Sequence, residues 1–211
     1  MIEAVDGAGI RGFVHRPEDP IGDAIVLTHG AGSNCRSPLL TALAKEFCAA
    51  GFAVLRYDLP FRQLRPTGPP IRSADKDQQG IAQAVEWMKR QVAGRVFAGG
   101  HSYGGRMTTI LATLQAELAP GLLLLSYPLH PPKAPTQLRT GHFPNLRAPA
   151  LFVHGTRDGF GTVDEMSEAL KLIPANTQLL PIESAGHELL SKRNDDALPP
   201  LIAQHFTRFV S

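Results

Sequence analysis

Residues 97–106 read FAGGHSYGGR. A single hydroxyl, on Ser102, stands between two glycine pairs just past a short apolar run. Gly100, Ser102 and Gly104 fit the pattern G-x-S-x-G. If a strand ends and a helix begins here, the serine sits in a strained turn that lifts its Oγ clear of the backbone. The glycines are then needed where a Cβ would clash with the neighbouring strand and helix. The helix would also aim its first N–H groups and the positive end of its dipole at the site.

The surrounding sequence supplies that context. Short apolar runs recur at 24–30 (AIVLTHG), 52–58 (FAVLRYD), 95–100 (RVFAGG), 122–128 (LLLLSYP), 150–155 (ALFVHG) and 177–183 (TQLLPIE). Most are continuous rather than alternating, as expected of strands covered on both faces. Helical patterns separate them. Ser37-Pro38 reads as a cap and first-turn proline before Leu39, Leu40, Leu43 and Phe47, with Gly51 as the stop. After Ser73, the stripe Ile81, Val85, Met88 and Val92 predicts a second helix, with Asp75 and Asp77 at its positive end. A third begins after Ser102, and a fourth runs from about Val163 to Leu172. The last follows Pro199-Pro200, with Leu201, Ile202, Phe206 and Phe209 inward. The N-terminal stretch, broken at DGAG, reads as a β-hairpin on the sheet edge. Its G-x-G-x-x-G match at Gly7–Gly12 lacks a following helix and is a turn rather than a nucleotide loop. The fold class is therefore α/β, a mainly parallel sheet with helices on both faces, forming one domain over residues 1–211.

Function in such sheets gathers at the carboxyl ends of the strands. Partners of an elbow serine follow in the order nucleophile, acid, histidine. Asp158 stands in the loop beyond ALFVHG, whereas SYPLHPP offers no carboxylate. Asp164 falls in the first turn of a helix, where an acid is stabilised anyway. Of the later histidines, His187 follows the last strand and His205 lies inside a helix. Ser102, Asp158 and His187 are thus the expected nucleophile, acid and base. Oxyanion donors are expected from the N–H groups of Tyr103 and of Ala31, in the H-G-A-G loop. His29 is expected to brace that loop through a hydrogen bond. Arg106 opposes the helix dipole in the first turn, so an acidic partner is expected, with Asp58 the candidate.

At these residues the chain resembles the α/β-hydrolase superfamily, from about residue 10 onward. LTHGAGSN, YDLPFRQLRPTGPP, GGHSYGGR, SYPLHPP and LFVHGTRDGFG are similar to a compact, lidless branch whose bacterial members are described as hydrolases similar to dienelactone hydrolases. Its eukaryotic relatives include a testis-expressed protein and a subunit of a histone-acetyltransferase complex. The resemblance implies the fold, the triad and the oxyanion loop, and no settled substrate. The dienelactone enzymes use a cysteine nucleophile, and serine here departs from them.

The function expected is a serine hydrolase cleaving an ester or thioester of a small substrate through an acyl-enzyme on Ser102. A non-catalytic interaction module retaining the fold, or a small peptidase, are the alternatives. The stretch from Tyr127 to Pro149 carries six prolines and stands where larger relatives insert a helical cap, so no helical lid is expected. His130 in that stretch, and Arg62 and Arg65 in a loop with Arg56 and Arg72, are candidate substrate contacts. A net charge of +2 argues against nucleic acid as a partner, and no apolar run approaches the ~20 residues of a membrane span. Eight histidines show no metal-ligand spacing, so neither metal nor cofactor is expected. The start lacks a signal-peptide layout, and Cys35 and Cys48 read as buried thiols, so the expected location is cytoplasmic.

Overall fold

The computed structural model describes residues 1–71 and 74–211. The chain runs β1 (Ile2–Gly7), β2 (Ile10–His15), β3 (Ala24–Thr28), α1 (Pro38–Ala49), β4 (Ala53–Tyr57), α2 (Pro60–Leu64) and α3 (Ala74–Lys89). It continues with β5 (Val96–His101), α4 (Tyr103–Leu114), β6 (Leu122–Leu125), β7 (Ala150–Gly155), α5 (Val163–Leu170), β8 (Thr177–Ile182) and α6 (Leu198–Val210). The strands form one sheet in the order β1-β2-β4-β3-β5-β6-β7-β8. From β4 to β8 every pairing is parallel, while β1–β2 and β2–β4 are antiparallel. This is an α/β-hydrolase architecture, and the N-terminal hairpin caps its edge as the sequence predicts.

Successive strand residues point to opposite faces, and both faces are dry. Val26, Leu122 and Leu124 join α3, α4 and α5 on one side. Ile25, Leu27, Leu123 and Leu125 join α1 and α6 on the other. That explains why the strands read as unbroken apolar runs. On the second face Phe206 meets Phe47 at 5.7 Å and Phe97 at 5.5 Å, both edge-on. Full burial of each such ring contributes about 1.5–3 kcal/mol.

Local signals set the element ends. Ser37 Oγ accepts the Leu40 N–H at 3.3 Å, Pro38 opens α1, and Gly51 at φ +89° closes the turn after it. α5 ends at Leu170, two residues earlier than its pattern suggests, and carries a capping box between Thr162 and Glu165. Leu201, expected inward, is 40% exposed on α6. Ser73, after which the sequence pattern sets the second helix, lies outside the described residues. The proline-rich stretch 127–149 contains only a 3₁₀ turn at Phe143–Asn145, so among the described residues no helical lid covers the sheet end.

Three buried or half-buried histidines make stability pH-dependent. Burial, reinforced by the Arg56 charge, lowers His15 from 6.5 to about 4. Burial lowers His29 to about 4 against the opposing effect of its hydrogen bond to the Gly30 carbonyl, and burial plus the Arg106 charge does the same for His142. His15 Nε2 accepts from Arg56 Nε at 2.9 Å, and His29 Nε2 accepts from the Leu59 N–H at 3.1 Å, so both rings are neutral. Each binds protons in the unfolded chain before it does in the folded one. Stability is therefore full above pH 6.5 and falls as pH drops from 6.5 towards 4. Thermal melts across pH 4–8 should show Tm falling over that window; a flat profile would show that these rings are solvated.

Candidate active site

The elbow forms because two backbones approach too closely for side chains. A Cβ on Gly104 would sit 2.6 Å from Thr28 Cγ2 and 2.7 Å from the His29 carbonyl. One on Gly100 would sit 2.7 Å from the Thr28 carbonyl. In the turn between β5 and α4, Ser102 takes φ +50° and ψ −114°, in a region costly for a residue with a side chain. Its N–H donates to the Leu125 carbonyl at 2.8 Å, which ties the turn to the end of β6.

The loops after β7 and β8 bring two partners to this hydroxyl. His187 Nε2 lies 2.7 Å from Ser102 Oγ, and His187 Nδ1 lies 3.0 and 2.9 Å from the two oxygens of Asp158. Both loops are fixed. The Thr156 and Arg157 N–H groups donate to the Ile182 and Ala185 carbonyls at 3.0 and 2.9 Å, and the Phe160 N–H donates to Asp158 Oδ1 at 2.8 Å. The Asp158 side chain is fully buried. Burial alone would raise its pKa. The hydrogen bond and charge of His187, with the Phe160 N–H, outweigh burial and hold it below 3.8. A carboxylate that is charged near neutral pH therefore faces the ring. Phe160 stacks on His187 at 4.2 Å, and His101 Nε2 meets the His187 carbonyl at 2.8 Å. His101 occupies the x before the serine, a position that the G-x-S-x-G pattern leaves open.

Gly30 packs against the elbow, since a Cβ there would lie 3.4 Å from Ser102 Cβ. Ala31 is the next residue along that loop. Tyr103 is the first residue of α4, so its N–H projects from the helix N-terminus. Its hydroxyl donates to Asp77 Oδ2 at 2.7 Å, and Asp77 Oδ1 accepts the Phe61 N–H at 3.0 Å. Asp77, read from sequence as a dipole partner, is thus a buried brace for α2 and Tyr103. His29 braces the loop as expected, with Nδ1 2.8 Å from the Gly30 carbonyl.

The arginines correct the sequence reading. Arg62 is 2% exposed and donates to the carbonyls of Ser33 (2.7 Å), Ala31 (2.8 Å), Gly68 (3.0 Å) and Arg65 (3.1 Å). It holds the Ala31 loop from beneath and has no surface to offer a substrate. Arg56 is buried too, against His15, the Cys35 carbonyl and the Phe13 ring. Arg65 is exposed, and Arg72 lies outside the described residues. His130 is 5% exposed, with Nδ1 3.0 Å from the Pro131 carbonyl and Nε2 3.4 Å from Glu165. It fastens the proline-rich stretch to α5, and the structure does not turn its ring to Ser102. Asp58 does not pair with Arg106; its oxygens accept from Arg11 at 3.1 Å and the Cys35 N–H at 2.7 Å.

Cys35 is buried and Cys48 half-buried, and both are free thiols. Burial pushes Cys35 up to about 12, with the Asp58 charge adding to it. A cavity of about 870 Å³ lined by His15, Arg36, Lys45 and Leu190 shares no residue with the Ser102 cluster. No helix among the described residues is long and apolar enough to cross a membrane.

Solved structures share this whole frame. A dienelactone hydrolase from Anabaena variabilis superposes with a TM-score of 0.76 at 22% identity, covering 99% of this chain and 97% of that one. Est1E from Butyrivibrio proteoclasticus, in a structure with ferulic acid bound, gives 0.78 at 16% identity and 99% of both chains. A lidless α/β serine hydrolase from Xanthomonas campestris gives 0.73 at 16% identity, covering 99% of this chain and 94% of that one. At such identities the likeness is one of fold. The sequence itself matches the alpha/beta hydrolase domain over residues 22–208, which supports hydrolase activity in general. With that match running from β3 almost to the end of α6, the chain belongs to the alpha/beta hydrolase domain family.

Proposed function

We propose that the protein is a serine hydrolase acting on an ester or thioester of a small molecule. The observation that carries this reading is the 2.7 Å approach of Ser102 Oγ to His187 Nε2, with Asp158 2.9 Å behind the same ring. His187 takes the Ser102 proton as Oγ bonds to the substrate carbonyl carbon. The Ala31 and Tyr103 N–H groups stabilise the resulting oxyanion. The carbonyl re-forms as the bond to the alcohol or thiol breaks, and His187 hands its proton to that leaving group. Water, deprotonated by the same ring, then attacks the acyl-enzyme and releases the acid and the serine. No metal or cofactor has a part in these steps. Two unpaired cysteines suit a reducing compartment, and on that ground we place the enzyme in the cytoplasm.

A panel of acyl esters, acyl thioesters and peptide amides tests this reading. Ester or thioester turnover that disappears in Ser102→Ala supports it. Faster turnover of peptide amides would favour a peptidase, and no turnover by folded protein would favour an interaction module.

Acyl-chain length gives a second readout. Among the described residues no lid supplies an apolar wall, and each CH₂ left unburied forgoes about 0.8 kcal/mol. Acetyl and butyryl esters should therefore be cleaved faster than lauroyl or palmitoyl esters, with no jump in rate at a lipid interface. The opposite order would mean that a long apolar groove exists.

A further inference from the structure

Arg106 is the cation whose acidic partner the sequence leads one to seek in vain. Its N–H donates to the Ser102 carbonyl at 3.0 Å, so it lies one helical turn beyond the nucleophile. Side chains on a helix lean towards its N-terminus, which carries this guanidinium back towards the elbow. None of the ion pairs among the described residues includes Arg106, and its Nε is buried with no hydrogen-bond partner.

A second cation lies near enough to feel its charge. Arg139, half-buried, reaches in from the proline-rich stretch and donates to the Pro128 carbonyl at 3.2 Å. The Tyr127 hydroxyl donates to the Arg139 carbonyl at 2.6 Å, and Thr109, one turn beyond Arg106, meets His142 Nε2 at 2.8 Å. Burial and the Arg106 charge both press on Arg139 and on His142, lowering the basicity of each. The first turns of α4, the end of β6 and the 128–142 stretch thus bring together two guanidiniums, a neutral imidazole and a phenol. Two partly desolvated like charges destabilise one another unless an anion lies between them.

The backbone that leads into this stretch starts beside the elbow. Because the Ser102 N–H is bonded to Leu125, residues Ser126 and Tyr127 leave β6 directly beside the elbow. Further along the same stretch, the His130 N–H is bonded to the carbonyl of Phe160, whose ring covers His187.

We propose that Arg106 and Arg139 form a carboxylate subsite beside Ser102, so that the substrate is an ester or thioester bearing a free carboxylate. This inference rests on the serine-hydrolase reading above. The planar fork of arginine suits a carboxylate, which accepts two parallel N–H bonds.

Two measurements test it. The first compares p-nitrophenyl acetate with the mono-p-nitrophenyl ester of succinic acid. Wild type should prefer the charged ester, and Arg106→Gln should lower the charged-to-neutral ratio of kcat/KM by roughly 10–100-fold, the scale of a hydrogen bond to a charged group. Arg139→Gln, which lies off the helix, should lower the same ratio and guards against a folding defect in the first variant. The second measures binding to Ser102→Ala by calorimetry, with monomethyl succinate against dimethyl succinate. Binding should require the free carboxylate and be lost with Arg106→Gln. If wild type is inert on both esters, the hydrolase reading fails, while the calorimetry still decides the subsite. Equal binding of the two succinates, or tighter binding of inorganic phosphate, overturns the carboxylate subsite even if ester hydrolysis is robust.

Discussion

Treated with a fluorophosphonate near neutral pH, the protein should take a single label, on Ser102, and lose ester hydrolysis in step. The phosphonyl adduct mimics a tetrahedral intermediate, so only a serine with a base and oxyanion donors reacts readily. Ser102→Ala should take no label. His187→Ala should label far more slowly, because no ring lies 2.7 Å away to remove the proton. Asp158→Asn is the more informative change. Asp158 Oδ1 already accepts the Phe160 N–H, so an asparagine keeps its oxygen there and turns its amide towards His187 Nδ1. The ring must then carry its proton on Nε2 and can no longer accept one from Ser102. A comparable substitution in another serine hydrolase costs ~10⁴ in kcat. A folded wild-type protein that stays unlabelled would remove the enzyme reading and leave the interaction module.

Arg62→Ala should produce the next largest loss. The substitution deletes a buried guanidinium and strands four carbonyls, two of them on the Ala31 loop. Stability should fall by about 3 kcal/mol, as expected when one side of a buried polar network is removed. If Ala31 donates to the oxyanion, kcat should also fall by ~10²–10³, the scale of a lost oxyanion donor. Arg62→Lys restores the charge but only three donors on a compact head, so it should recover part of the Tm and little of the rate. Stability lost with kcat intact would separate the loop's folding from the chemistry and dismiss Ala31 as a donor.

The convergence of Ser102, Asp158 and His187 is legible in the sequence because each is fixed by its own neighbourhood. The glycines force the elbow, and the other two residues stand in loops that directly follow strands. The fate of the arginines is not legible. Whether Arg62 is solvated or buried depends on carbonyls from two other segments, around Ala31 and Gly68, and no local pattern encodes their arrival. Asp58 illustrates the same point. It lies at a strand end open to several cations, and Arg11 on the hairpin claims it from 47 residues away. α2 is hidden for a different reason. Five residues are too few to establish a period, and its start depends on the distant Asp77 receiving the Phe61 N–H.

The sheet order also has a consequence for how the protein is made. Ser102 directly follows the central strand β5, whereas His187 arrives 85 residues later, after the edge strand β8. At a synthesis rate of ~5–20 residues per second, roughly 4–17 s separate the two on the ribosome. During that interval the nascent chain carries a serine with no base, and α6 has not yet brought Phe206 onto Phe47 and Phe97. On the serine-hydrolase reading, the hydroxyl would stay inert until the segment carrying His187 docks. On that reading, reactivity would be timed to the end of folding.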